Sequence, residues 1–359
     1  MKKIVAAAAA GLILAGTAFA DVSFSWTRTN IVGGTSKAFD SVERSDCLGL
    51  ELSNDIAGVV FDWDIIENGS AATSKLELDS YYGWMTFGLP VGNLQVTSGK
   101  WNGRYSDRVK SDAGDLDGQY YEAYKLGVID GALAADSDNL TDGKMSTVLA
   151  YTLADTLPGT LLVKAGIVNG AYGKYDSQSG FVAELGYRQE GLINVDVAIK
   201  SPKNKQTIIG AFVSPLMVEN LRATVGFTMG NDDGDKEFAF DARARYAITE
   251  KTAVTGMFNY SSIAKELTGT SDDVNKMWTM ISVNHVAGDN IRFLATLQNT
   301  VRDFDADNGN NLTAFTPACE IQISEKALFT AAFDMRWDNK TPYAGVGDVS
   351  LPIYVTLSL

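Results

Sequence analysis

The side chains of this chain that could do chemistry are mostly carboxylates, and they recur two residues apart. Asp62 and Asp64 share one face of a run whose other face carries Val59, Phe61, Trp63 and Ile65, and Glu51, Glu77 and Asp79 hold alternate positions in the segments on either side. A carboxylate pair is what glycoside hydrolysis requires, but residues i and i+2 on one strand face serve equally well as a water-facing lining. His285 is the sole histidine, lies in a strand-like run, and no nucleophile motif frames a serine near it. The sequence has no Cys-x-x-Cys, phosphate loop or histidine-rich metal motif, so an enzyme is not expected. Asn231 to Glu237 and Asp305 to Asn311 are acidic and glycine-bearing, but neither has the ligand spacing and terminal glutamate of a calcium loop. Calcium there is at best a weak expectation, and no cofactor is expected. The cations at alternate positions are Lys164, Arg222, Arg243, Arg245, Arg292 and Arg336, mainly in the second half of the chain.

Such positions are set by strands, and the stretch from Gly191 to Tyr260 shows how. Ile193, Val195, Val197 and Ile199 alternate with Asn194, Asp196, Ala198 and Lys200. Leu221, Ala223, Val225, Phe227 and Met229 alternate with Arg222, Thr224, Gly226 and Thr228, and Phe238, Phe240, Ala242, Ala244 and Tyr246 with Asp241, Arg243 and Arg245. Each run is about ten residues long, which suits a tilted strand crossing a bilayer. The same alternation occurs in a soluble sandwich, so other features must decide between them.

Met1-Lys2-Lys3, an alanine-rich apolar run and Ala18-Phe19-Ala20 have the form of a secretory signal at residues 1–20. Beyond it no window is long and apolar enough for a spanning helix, and a closed barrel is the other structure that satisfies every backbone polar group in lipid. Without a Pro- or Ser-rich linker, residues 21–359 read as one domain. The formal charge is −14, and loss of Lys2 and Lys3 takes it to −16. That balance argues against nucleic acid, whose phosphates need basic neutralisation. Cys47 and Cys319 fall on strands that are not neighbours, and the spacing predicts free, buried thiols.

The strand runs number about 18, with about 16 as the alternative, both even counts as in bacterial barrels. Their connections alternate between short turns, as after residues 52, 88 and 189, and longer polar loops, as after residues 30, 66, 100 and 230. The longest interruption is 100–144. These features predict an all-β fold, a transmembrane antiparallel β-barrel with short periplasmic turns and long external loops. Aromatic residues near strand ends, among them Trp26, Trp63, Tyr82, Trp84, Tyr187, Tyr246, Tyr260 and Trp337, suit an interfacial girdle.

In its layout the chain resembles the porin superfamily of outer-membrane proteins. The signal, a strand starting at once, the alternating connections, an oversized third loop and the apolar terminal run Leu351 to Leu359 carry the resemblance. The chain departs from many such barrels in ending on Leu359 rather than on an aromatic residue. The resemblance implies passive diffusion of small hydrophilic solutes and ions through a water-filled pore in the outer membrane of a diderm bacterium, with lipid around it and a homotrimer as the assembly. It also implies that 100–144 is a constriction loop, with Glu122 and Asp130 facing the eyelet; an external lid or two additional strands are the alternatives. If the apolar face of each strand meets lipid, Glu51, Asp62, Asp64, Glu77 and Asp79 line one wall and the basic residues mainly the other, which either sets a transverse field, unlike the arrangement in familiar porins, or leaves the charges paired with local neighbours in a wide lumen. The rivals are a soluble exported all-β adhesin or carbohydrate-binding protein, and a barrel with a structural role and a plugged lumen.

Overall fold

The structure, a computed structural model, describes residues 21–35, 39–67, 74–101, 145–154, 158–169, 180–201, 206–265, 273–302, 310–325, 327–338 and 349–358. The expected signal at 1–20, Glu122, Asp130 and most of the second candidate calcium loop lie outside them. The strands are β1 Asp21–Thr35, β2 Phe39–Ser53, β3 Ala57–Glu67, β4 Ser74–Gly88, β5 Asn93–Lys100, β6 Met145–Leu153, β7 Thr160–Asn169, β8 Gly180–Gln189, β9 Ile193–Ser201 and β10 Gln206–Pro215. There follow β11 Leu221–Asp232, β12 Asp235–Thr249, β13 Thr252–Ile263, β14 Val274–Val286, β15 Ile291–Arg302, β16 Asn310–Ser324, β17 Ala327–Ala332, β18 Asp334–Asp338 and β19 Val349–Ser358.

All belong to one sheet, pairing is antiparallel, and β1 pairs with both β2 and β19, so the sheet returns on itself. The segments β17 and β18 are halves of one strand, since each pairs with β16 on one side and β19 on the other. The break falls at Phe333, whose N–H donates to the Pro317 carbonyl at 3.0 Å. Proline has no N–H to return the bond. With these halves counted together, the 19 segments among the described residues make a ring of eighteen strands.

Burial alternates along the strands in the sense opposite to that of a soluble protein. On β11 Thr224 and Thr228 are buried, at 1% and 2% exposure, while Val225, Phe227 and Met229 are 44%, 40% and 54% exposed. On β8 and β9 Glu184 and Asp196 are buried while Leu185 and Val197 face out. In a sandwich Val197 and Phe227 would meet across a dry core; here they sit on the outer face. The inner face carries Thr97, Ser146, Thr255, Ser282, Thr296, Gln298 and Thr316, a polar set that hydrocarbon would penalise. Apolar side chains outside and polar ones inside are what a ring with oil around it requires.

Three sequence expectations change. The longer loop expected after residue 30 is mostly strand, because β1 runs to Thr35 and β2 starts at Phe39. The expected loop at Asn231–Asp235 is a tight hairpin closed by Asp233 (φ 54°) and Gly234 (φ 110°). Two central residues at positive φ match the right-handed strand twist, and Asp-Gly is a preferred pair for such a turn. The Asn231 side chain accepts the Gly234 N–H at 2.9 Å. The loop-rim connections are therefore less uniformly long than expected. Finally, Cys47 and Cys319 form no disulfide, but Cys47 is exposed and Cys319 half-buried rather than both buried.

Candidate functional site: the inner wall

Strands β2 to β4 bring the early carboxylates together. Register pairs Glu51 with Val60, Gly49 with Asp62 and Cys47 with Asp64, and Asp64 in turn with Glu77. Glu51, Asp62, Asp64 and Glu77 thus fall in one row on the inner face. Asp62 accepts the Ser80 hydroxyl at 2.6 Å, and the Cys47 thiol lies 3.3 Å from Asp64 Oδ1. Glu77 pairs with Lys75. Among the described residues no basic side chain lies within ion-pair distance of Glu51, Asp62 or Asp64.

Asp79 leaves this row. Asp62 pairs with Ser80 but Trp63 with Leu78, so β4 carries a bulge at Asp79, and a bulge re-aims the residues beyond it. Asp79 approaches Lys100 of β5 instead, at 3.7 Å. The same bulge turns Tyr82 and Trp84, expected in an interfacial girdle, to the inner face, away from the outward Leu76 and Leu78. Trp84 lies over Gly58, its cross-strand partner, where any Cβ would stand 2.7 Å from the indole nitrogen. Tyr82 packs on Trp101 with ring centroids 5.7 Å apart.

Elsewhere on the wall, charges meet opposite charges. Lys164 on β7 bonds Glu184 on β8 at 2.8 Å, and Arg188 on β8 bonds Asp196 on β9 at 2.5 Å. Arg243 grips Asp241 two residues earlier on β12 through two bonds of 2.8 and 3.2 Å. Arg292 on β15 donates from Nε to Glu320 on β16 at 2.6 Å. The acids of these pairs are buried and the bases are partly exposed. Arg222 and Arg245 are register partners across β11 and β12. Arg336 pairs in register with Ala314, and its side chain lies outside the described set. The basic residues therefore do not form one uniform wall.

Two apolar patches interrupt this lining. Val148, Val182, Ala198 and Phe212 pack together with Trp101, and Met257 packs with Trp278 and Met280. Among the described residues no three His, Cys, Asp or Glu side chains are grouped as metal ligands.

No family model matches the sequence, and no curated protein matches it. Solved structures do. An anion-selective porin from Comamonas acidovorans superposes with a TM-score of 0.54 at 13% identity, covering 94% of this chain and 99% of that one. OccK8 (OprE) of Pseudomonas aeruginosa gives 0.55 at 8% identity, covering 95% and 98%. An outer-membrane protein of Vibrio cholerae, OmpT with its loop L8 deleted, gives 0.52 at 12% identity, covering 94% and 99%. The fold is that of the outer-membrane porins.

Within this porin-like barrel, sequence reasoning passed over Glu184, Arg188, Asp196, Glu237, Asp241, Lys276 and Glu320 as site residues. Their alternate positions were a usable signal for the inner face. What the sequence does not display is register, and register decides that Glu184 stands opposite Lys164 and Glu320 opposite Arg292.

Proposed function

We propose that this chain is an outer-membrane porin of a diderm bacterium, passing small hydrophilic solutes and ions by passive diffusion through a water-filled lumen. The observation that carries the reading is the inverted alternation on a closed ring, with threonines and charges inside and Phe227, Leu185 and Ile281 outside. It is not an enzyme in this reading, and residues 1–20 are removed on export. The segment 100–144 narrows the lumen. Support for that comes from Trp101, the last described residue before it, which packs on Val148, Val182, Ala198 and Phe212 of the inner wall. A homotrimer is the proposed assembly, as the V. cholerae protein OmpT has a trimer form.

Liposome swelling tests the reading. Liposomes containing the refolded protein should swell in isotonic sugars at rates that fall steeply as sugar size increases. Folded protein that leaves liposomes unswollen even in the smallest sugar would overturn it.

A further inference from the structure

We infer that the outer face of the barrel binds a membrane phospholipid whose headgroup carries both a phosphate and a primary ammonium, in a groove near the loop rim across β10 to β13. The inference uses the reading that this face meets lipid, and does not need the lumen to conduct. The groove has a volume of about 510 Å³. Pockets that hold a small ligand run from ~300 to ~1,000 Å³.

Register builds the groove from two rows of outward residues. The lower row is Ile209, Met229, Phe238 and Ser262, each opposite the next across a strand pair. Ile209, Met229 and Phe238 are exposed, so the row offers an acyl chain an apolar floor. The upper row is Thr207, Asn231 and Lys236, followed by Ala264, whose N–H donates to the Lys236 carbonyl at 3.0 Å. Ile263 pairs with Val274, so Asp273 stands opposite Ala264 and closes this row. The face thus passes from apolar to polar within one row. Tyr260, two residues before Ser262 on β13, marks the same height, and its hydroxyl donates to Asn275 at 3.3 Å. An aromatic ring with a polar tip belongs where hydrocarbon gives way to headgroups.

The upper row carries a cation and an anion, and both are available. Lys236 is exposed, and among the described residues no carboxylate lies within ion-pair distance of it. Asp273 is exposed and accepts the Lys265 N–H at 3.0 Å through Oδ1, which leaves Oδ2 to accept another bond. Asn231 gives its side-chain oxygen to the Gly234 N–H, which leaves its amino group to donate. Lys236 and Asp273 are two strand spacings apart, about 10 Å at the backbone. The flexible lysine stem can narrow that gap. A phosphate then meets Lys236 and Asn231, a primary ammonium meets Asp273, and an acyl chain runs over Ile209, Met229 and Phe238. A choline headgroup has no N–H for Asp273, and a glycerol headgroup has no cation. The carboxylates nearby, those of Asp233, Asp235 and Asp273, disfavour a lipid that brings only negative charge.

The test is native mass spectrometry of the protein refolded in detergent and mixed with equal amounts of phosphatidylethanolamine, phosphatidylcholine and phosphatidylglycerol of the same acyl chains. The ethanolamine lipid should be retained about fivefold over each of the others. In Asp273→Asn its lead over the choline lipid should vanish, and in Lys236→Gln retention of all three should fall. Met229→Trp, which fills the groove, should abolish retention, whereas Val197→Trp, on the outer face of β9, should leave it unchanged. Heat-modifiable gel mobility shows whether each variant is folded. Equal retention of the three lipids by the wild type, a preference for the glycerol lipid, or a preference unchanged in both Lys236→Gln and Asp273→Asn overturns the inference. Oligomers free of lipid would put a second copy of the chain over the groove and overturn it too. Each of these outcomes leaves the pore standing, because liposome swelling reads the pore separately.

Discussion

The arc of β2 to β4 and the wall of β7 to β9 both carry ionised side chains on the inner face, but they use them differently. On β7 to β9 Lys164 is answered across a strand pair by Glu184 and Arg188 by Asp196, and both acids are buried. On β2 and β3 Asp62 and Asp64 are answered by a hydroxyl and a thiol, those of Ser80 and Cys47, and Glu51 is exposed. A buried carboxylate beside a cation is tied to the stability of the barrel, because removing its partner leaves an uncompensated charge. A carboxylate facing water contributes little to stability and keeps its field for whatever passes. The position of a charge on the inner face is thus no guide to its role until its neighbours are known.

That contrast can be broken in several ways. The largest effect is expected from Asp241→Ala, which strands Arg243 without its two-bond partner. Unfolding in urea from lipid vesicles should show a loss of about 3 kcal/mol, and an unchanged midpoint would show that the pair is not structural. Asp62→Asn with Asp64→Asn should change the same midpoint by less than about 1 kcal/mol. A loss matching that of Asp241→Ala would erase the distinction between the two arcs. Replacing both members of a pair, as in Arg292→Met with Glu320→Leu, should cost less than either single change, since an ion pair and a well-packed apolar pair are often close in stability. Smallest is the salt effect. Raising ionic strength from about 0.1 M to about 1 M should remove most of the influence of Asp62 and Asp64 on solute preference while leaving the urea midpoint of the wild type little changed.

Much of the fold is legible in the sequence because strand side chains have a period of two. The runs around Val197, Phe227 and Phe240 declare their outer faces, and counting such runs gives the size of the ring. The remaining features depend on what one strand does to the next. The Asp-Gly pair at 233–234 carries its own turn signal, but the flanking acids make the stretch look like a solvated loop. The bulge at Asp79 is invisible, since Glu77, Asp79 and Tyr81 keep perfect alternation in sequence while the backbone does not. The break at Phe333 has its cause on another strand, in Pro317. The same holds for the charges. Alternation shows that Lys164 and Glu184 face inward, but only the register of β7 against β8 shows that they meet.

The two native cysteines provide the most direct test of the claim that one face of this ring meets water and the other meets lipid. Cys47 stands in the inner row beside Asp64, whereas Cys319 alternates with the buried Ala318 and Glu320 and pairs with the outward Phe293. In protein reconstituted into liposomes, a charged, membrane-impermeant methanethiosulfonate should modify Cys47 and spare Cys319, as read by peptide mass spectrometry. Modification of Cys319 with Cys47 protected would contradict the account.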